Sequence, residues 1–428
     1  MTSLSFKNSS ESYKQQKIRR KRTSKMEHQI NLSMIKNILT LRYDPTKQIK
    51  YSKFNIENFK PIYDTLDIDK IESIISKIIQ EKIIEKNVVV ALSGGVDSVL
   101  VLALVRKIFP DIKIDAISVK FVDSVDETGI AASLASQFNA NHHIITIENF
   151  LEELPKAISI IKMPFWDTHW YHLSKATKQF SDTLVSGDGG DELFGGYTFR
   201  YKKFLSKIND TTTIADKTKR YLECHERDWV PDQAEIFTEN SNFSWNEIYE
   251  YIKPNFANEL EALDQVFLAD INGKLLYNWM PINASFHERF GIKSVTPLLS
   301  DEMIQYALHM KNVLKYDRIN NIGKVALRKI LSKYISPEHI SQNKQGFSVN
   351  TVNLWKNYGK VLCNNYLSDA RIVKDGWIRQ EWISNHLKEI ENNLDVRYVN
   401  KFLGLLAFEV WYRIFVTKEM NPDTKLSV

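Results

Sequence analysis

Only two cysteines, Cys224 and Cys363, occur in 428 residues, and they are far apart in the chain. That excludes CxxC redox chemistry and zinc sites built on paired cysteines, and it fits a chain working in a reducing cytoplasm. No run of about 18 or more uncharged apolar residues appears, and the N-terminus has no apolar signal core, so neither a membrane span nor export is expected. Proline is scarce at 11 residues, while 43% of residues are hydrophobic and 25% charged. This is the composition of a folded globular chain, long enough for about two domains.

The formal charge of +5 is unevenly spread. Residues 1–30 carry Lys7, Lys14, Lys17, Arg19, Arg20, Lys21, Arg22 and Lys25 against Glu11 and Glu27, which leaves the remainder close to neutral. The segment has two readings: a solvated, disordered tail, or an arm for RNA or another anionic surface. A nucleic-acid partner is therefore expected through the basic tail or not at all.

After the tail, Tyr43, Asp44 and Pro45 read as a turn. Apolar residues at helical spacing predict an amphipathic helix from Ile68 to Ile84. Asn87 to Leu92 (NVVVAL) is a continuous β-branched run, the pattern of a strand buried on both faces of a parallel sheet. Strand and helix patterns then alternate: helix Ser98 to Phe109, strand Ile114 to Phe121, helix Asp126 to Phe138, strand His143 to Ile147, helix Phe150 to Ile161 and strand Thr183 to Ser186. Such alternation predicts an α/β fold with a doubly wound, mostly parallel sheet. Beyond about Phe199 the strand signal largely disappears, and helical patterns follow at Glu259 to Asn278, Ser300 to Met310, Lys324 to Tyr334 and Val399 to Val416. The expected organisation is a tail (1–30), a linker or remnant with an amphipathic helix (31–86), an α/β nucleotide core (87–199) and a helical region (200–420).

Between the first strand and its helix stands Ser93-Gly94-Gly95-Val96-Asp97-Ser98. Gly94 and Gly95 allow backbone angles and close approaches that a side chain would block, so several N–H groups can converge on one anion. The helix N-terminus favours phosphate as well, and Ser93 and Ser98 add hydroxyl donors. A Walker loop is excluded because its lysine is missing, and a dinucleotide fingerprint because its third glycine is missing. Asp97 is the informative acid. A carboxylate beside a polyphosphate repels it unless a divalent cation lies between, and Mg²⁺ takes one or two carboxylates together with phosphate oxygens. An N-terminal helix acid serving only the dipole is the structural alternative, contributing at most about 1 kcal/mol.

A second cluster, Ser186-Gly187-Asp188-Gly189-Gly190-Asp191-Glu192-Leu193-Phe194-Gly195-Gly196-Tyr197, follows another apolar strand. Loops at the carboxyl ends of parallel strands face one crevice, so the two clusters are expected to meet.

SGGVDS after an apolar strand resembles the PP-loop of ATP pyrophosphatases, which cut ATP between the α and β phosphates. Together with SGDGGDELFGGY it resembles the synthetase domain of glutamine-dependent asparagine synthetases and their relatives, the β-lactam synthetases and lasso-peptide cyclases. Asp126-Glu127, Lys324-Val-Ala-Leu-Arg328 and Lys344-Gln-Gly346-Phe347 agree with it. The resemblance runs from about Val88 to Phe347, with a weaker continuation to about Phe415.

It implies an adenine nucleotide α-hydrolase-like fold and a ligase that turns a carboxylate and ATP into an acyl-adenylate and pyrophosphate, after which an amine displaces AMP. By position, Leu92, Ser93, Gly94, Gly95, Val119, Ser186 and Gly187 would contact the nucleotide, and Asp97 and Asp191 would hold Mg²⁺. Ser93, Gly95, Asp97, Ser98 and Lys344 would bind pyrophosphate. Asp188 stands where the family has an acid that acts on the bound substrate or intermediate, and Lys344 where a lysine stabilises the transition state. Aspartate is the leading acid substrate; the alternatives are amidation or cyclisation of another acid by the same chemistry, a PP-loop enzyme that modifies tRNA, and a non-catalytic scaffold.

Two departures stand out. Glutamine-dependent members place a catalytic cysteine directly after the initiator methionine, whereas residue 2 is Thr2. The chain therefore reads as a synthetase half, with Ile38-Leu-Thr-Leu-Arg-Tyr43 weakly resembling the end of the missing glutaminase domain. Nitrogen is expected from free ammonia, an amine or a separate glutaminase subunit. In addition, Lys293, Val295, Ser300 and Gln342 replace a glutamate, an arginine, an aspartate and an arginine of the family pattern, which bears on the identity of the acid. His142, His143, His169, His172, Trp166 and Trp170 show no metal-ligand spacing and read as packing or surface residues.

Overall fold

The computed structural model describes residues 32–49, 53–121, 128–225, 229–336 and 349–428. The basic tail, Asp126-Glu127, Gln342 and Lys344-Gln-Gly346-Phe347 lie outside the described residues.

The centre is a parallel five-stranded sheet, β1 (Asn87–Ala91), β2 (Lys113–Phe121), β3 (Asn141–Ile147), β4 (Thr183–Val185) and β5 (Lys293–Val295), in the order β3-β2-β1-β4-β5. The β-branched run of β1 is explained by burial on both faces. Val88 and Val90 join one apolar core, while Val89 and Ala91 join a second core on the other face. The first core holds helix Ile68–Lys82 and the wholly apolar part of helix Val96–Ile108; the second holds Trp170, Tyr171, Ile282 and Phe286. Burial of this kind on both sides removes the alternation that a one-sided sheet would show.

The element order anticipated from the sequence is present, with ends shifted by a few residues. One strand of this sheet was not legible. β5 lies in the stretch where strand patterning fades, and it pairs with β4 through Thr183 and Lys293, Leu184 and Ser294, and Val185 and Val295. Three residues are too short for a period of two to show. A third core gathers the C-terminal helices around Val396–Phe415.

The helical pattern at 259–278 becomes one rod, Ala262–Asp270 continuing through a π-helical stretch Ile271–Trp279 into Met280–Phe290. The wide turns end just before Pro281, whose ring and missing N–H oppose a regular α-turn. No helix among the described residues is long and apolar enough to cross a membrane.

Candidate active site

β2 and β4 flank β1, and the chain reaches β2 directly but returns to β4 only after β3. The crevice at this reversal of winding is where open α/β sheets bind ligands, and both glycine clusters open onto it. Gly94 takes φ 73°, a left-handed angle that favours glycine. The loop closes on itself: Ser93 N–H donates to Ser98 Oγ at 3.2 Å, Gly95 N–H to Ser93 Oγ at 3.3 Å, and Ser98 Oγ to the Gly95 carbonyl at 3.0 Å. Both hydroxyls therefore sit beside the first turn of helix Val96–Ile108. Leu92 is fully buried at the end of β1, its carbonyl accepting from Ser118 Oγ at 2.7 Å. Val119 lies in β2 opposite Ile145.

After β4, Ser186 is buried and its N–H donates to the Val295 carbonyl at 3.0 Å. The loop then presses against the first one. A Cβ on Gly187 would come within 2.7 Å of the Asp97 backbone, so only glycine permits the approach. Asp191 lies in the first turn of the short helix Gly190–Phe194.

Asp97 and Asp191 meet across the cleft through a residue that the sequence marked only as part of a motif. The Lys324 ammonium lies 2.5 Å from Asp97 Oδ2 and 3.0 Å from Asp191 Oδ1. Burial lowers the Lys324 pKa, but the two carboxylates outweigh burial and raise it, so the ammonium stays charged. One cation thus spans two carboxylates, and the donor set fits a divalent cation that takes its other ligands from phosphate. Among the described residues no group of three or more His, Cys, Asp or Glu side chains is placed to hold a metal.

Asp188 points elsewhere. Its Oδ2 accepts from Ser186 Oγ at 3.1 Å and from Asn283 Nδ2 at 3.2 Å. Burial pushes its carboxyl up to about 7, the negative charges of Glu192 and Asp97 adding to the effect and the two hydrogen bonds opposing it. Such a group exchanges a proton near neutral pH. Asn283 was not singled out by sequence reasoning as a neighbour of Asp188. Glu192 is buried and accepts from Tyr197 Oη at 2.5 Å, and the Arg200 guanidinium stacks over the Tyr197 ring at 4.1 Å. The acid loop is in this way tied to the helical half.

Three of the unusual residues find structural partners. Lys293 opens β5 at its amino end, away from the crevice, and pairs with Glu85 at 3.1 Å. Val295 is 1% exposed in the apolar core. Ser300 caps helix Asp301–Leu308, its Oγ accepting from Met303 N–H at 3.3 Å. The histidines are likewise engaged in packing and pairing: His172 lies 5.5 Å from the Phe150 ring, and His143 bonds Asp115 at 2.8 Å.

The model of a family described as asparagine synthase matches residues 83–413. The chain is similar to asparagine synthetase [glutamine-hydrolyzing] 1 of Bacillus subtilis, at 24% identity over 425 residues, covering 89% of this chain and 65% of that protein. A putative asparagine synthetase [glutamine-hydrolyzing] 2 of Methanocaldococcus jannaschii is 31% identical over 155 residues, 35% of this chain and 30% of that protein. A putative asparagine synthetase [glutamine-hydrolyzing] of Mycobacterium tuberculosis is 28% identical over 121 residues, 27% of this chain and 18% of that protein. The chain spans less than two thirds of the length of the curated relatives it matches.

Proposed function

The chain belongs to the asparagine synthase family, and from that premise we propose that it is an ATP-dependent, AMP-forming ligase that adenylates a carboxylate and converts it to an amide. The observation that carries this reading is the meeting of the two glycine loops at the reversal of the sheet, with Asp97 and Asp191 held by one cation.

In this reading Ser93, Gly95 and Ser98 grip pyrophosphate with the N-terminus of helix Val96–Ile108, and Leu92, Gly94, Val119, Ser186 and Gly187 contact the nucleotide. Asp97 and Asp191 would hold Mg²⁺, which would offset charge on the phosphates. An oxygen of the acid attacks the α-phosphorus and pyrophosphate leaves; Lys344, outside the described residues, takes the charge of the leaving group. The amine then attacks the acyl carbon. Asp188, poised near neutrality, accepts the proton that the amine sheds as AMP departs.

Aspartate is the proposed acid, giving asparagine. The substitutions that opened the question weigh less once Lys293 is paired with Glu85, Val295 lies in the core and Ser300 serves as a cap. Nitrogen comes from ammonia, an amine or a separate glutaminase subunit, and the site of action is the cytoplasm.

The test is acid-dependent ATP–pyrophosphate exchange with Mg²⁺-ATP and a panel of acids. Exchange with aspartate is expected. Exchange with tRNA and with no amino acid would sink the ligase reading, and exchange with a different acid would replace aspartate while keeping the chemistry. Full exchange by Asp97→Asn would remove the metal assignment.

A further inference from the structure

Lys324 is held in place with unusual care. The short hairpin of β6 (Tyr316–Asp317) and β7 (Ile322–Gly323) delivers it. Gly323 packs against the acid loop so tightly that a Cβ there would lie 2.3 Å from the Gly195 carbonyl oxygen. The Lys324 N–H donates to the Phe194 carbonyl at 3.0 Å, and its backbone takes a left-handed angle, φ 57°. From there the side chain runs past Gly196, where a Cβ would meet Lys324 Cε at 2.6 Å and Asp191 Oδ1 at 1.7 Å. Its ammonium ends between the two carboxylates with 12% of the side chain exposed.

Two carboxylates this close repel each other in a site of low dielectric unless a cation separates them. The ammonium already occupies oxygens that a magnesium ion would need at about 2.0–2.1 Å. A metal ion on the same two carboxylates would sit against the ammonium and be repelled by it, and displacing the ammonium alone would cost it both carboxylates. A polyphosphate changes that balance, because its oxygens can receive the lysine as the metal takes the carboxylates.

We propose that Lys324 is a positioning residue that serves as a built-in counter-cation: it fixes Asp97 and Asp191 in the nucleotide-free protein, excludes a free divalent cation, and yields the carboxylates when a polyphosphate binds. The proposal rests on the reading of the two loops as a Mg²⁺-ATP site. Its consequence is an order of binding in which metal enters with the nucleotide.

Mn²⁺ titration of the full chain, followed by electron paramagnetic resonance, tests this without relying on turnover. Wild type is expected to bind Mn²⁺ weakly alone and at least about tenfold more tightly with a non-hydrolysable ATP analogue. Lys324→Met, checked for folding by circular dichroism, should bind Mn²⁺ alone at least about tenfold more tightly than wild type, and Lys324→Arg should restore exclusion. Tight binding by wild type without nucleotide, or unchanged Mn²⁺ affinity in a folded Lys324→Met, overturns the role of Lys324 and leaves the ligase reading standing. The wild-type measurement decides the matter even where the methionine variant does not fold. Failure of the nucleotide to recruit Mn²⁺ to wild type overturns the metal site itself, and the proposal with it.

Discussion

A Cβ built on Gly190 would lie 2.3 Å from Asp97 Cγ, so the acid loop and the phosphate loop are packed face to face at the carboxylate itself. Gly187 makes a similar approach one step away, but to the Asp97 backbone, 2.7 Å from its carbonyl carbon. The two glycines therefore guard different things. One keeps a side chain in position, and the other lets the start of a buried helix lie against the loop after β4.

Gly190→Ala is expected to fold, because the end of a short side chain can swing aside. The displaced Asp97 carboxylate should then lower ATP–pyrophosphate exchange by on the order of 100-fold, the scale of a misplacement near 1 Å. Gly187→Ala meets backbone that cannot yield and should cost about 1–3 kcal/mol in urea unfolding. The opposite ranking in the two assays would show that the loops are held together by something other than these contacts.

The phosphate loop was legible because its chemistry is local: a buried strand, two glycines and a helix N-terminus are consecutive in sequence. The same holds for the loop around Asp188. Lys324 was not legible as a partner of Asp97, since it arrives on a hairpin far along the chain and nothing in its spacing reports where that hairpin folds. β5 failed for a different reason, three residues of edge strand carrying no period. Lys293 illustrates a third case. Its place in a family pattern suggested a bearing on the substrate, whereas the register of β5 with β4 puts it at the amino end of the sheet, opposite the crevice.

That placement makes Lys293→Glu a test of the acid's identity. The change sets a carboxylate against Glu85 and should cost up to about 1 kcal/mol, the scale of a partly exposed ion pair. The Michaelis constant for the acid should not move, and the double exchange Glu85→Lys with Lys293→Glu should recover the stability. A tenfold change in acid selectivity at unchanged stability would mean that position 293 reaches the substrate after all.

The anchor of the acid loop predicts a larger effect. Arg200 pairs with Asp270 at 2.7 Å, both buried, and Tyr221 Oη donates to the other Asp270 oxygen at 2.7 Å. Arg200→Met leaves Asp270 in the interior without its cation and should cost about 3–5 kcal/mol in urea unfolding. Replacing both residues by apolar ones of similar size should cost clearly less, because no uncompensated charge remains. Equal costs for the single and double variants would place the stabilisation in packing and not in the pair.

Asp188 links stability to catalysis through one proton. Its folded pKa is raised from an ordinary 3.8 to about 7. Between these values the folded protein keeps a proton that the unfolded chain has lost, so its contribution to stability falls as pH rises from about 4 to about 7. Asp188→Asn, which cannot ionise, should match wild type below about pH 4 and exceed it by on the order of 4 kcal/mol at pH 8. Activity should run the other way. In wild type the amide-forming step, read as kcat/KM for the nitrogen donor, should rise with pH and level off above about 7, as the carboxylate becomes free to take a proton. In Asp188→Asn that step should drop by about 10²–10⁴-fold and lose this pH dependence, while acid-dependent ATP–pyrophosphate exchange persists. A variant that lost exchange and amide formation together would move Asp188 from proton acceptor to the nucleotide grip; one that kept the wild-type pH profile would remove it from proton transfer.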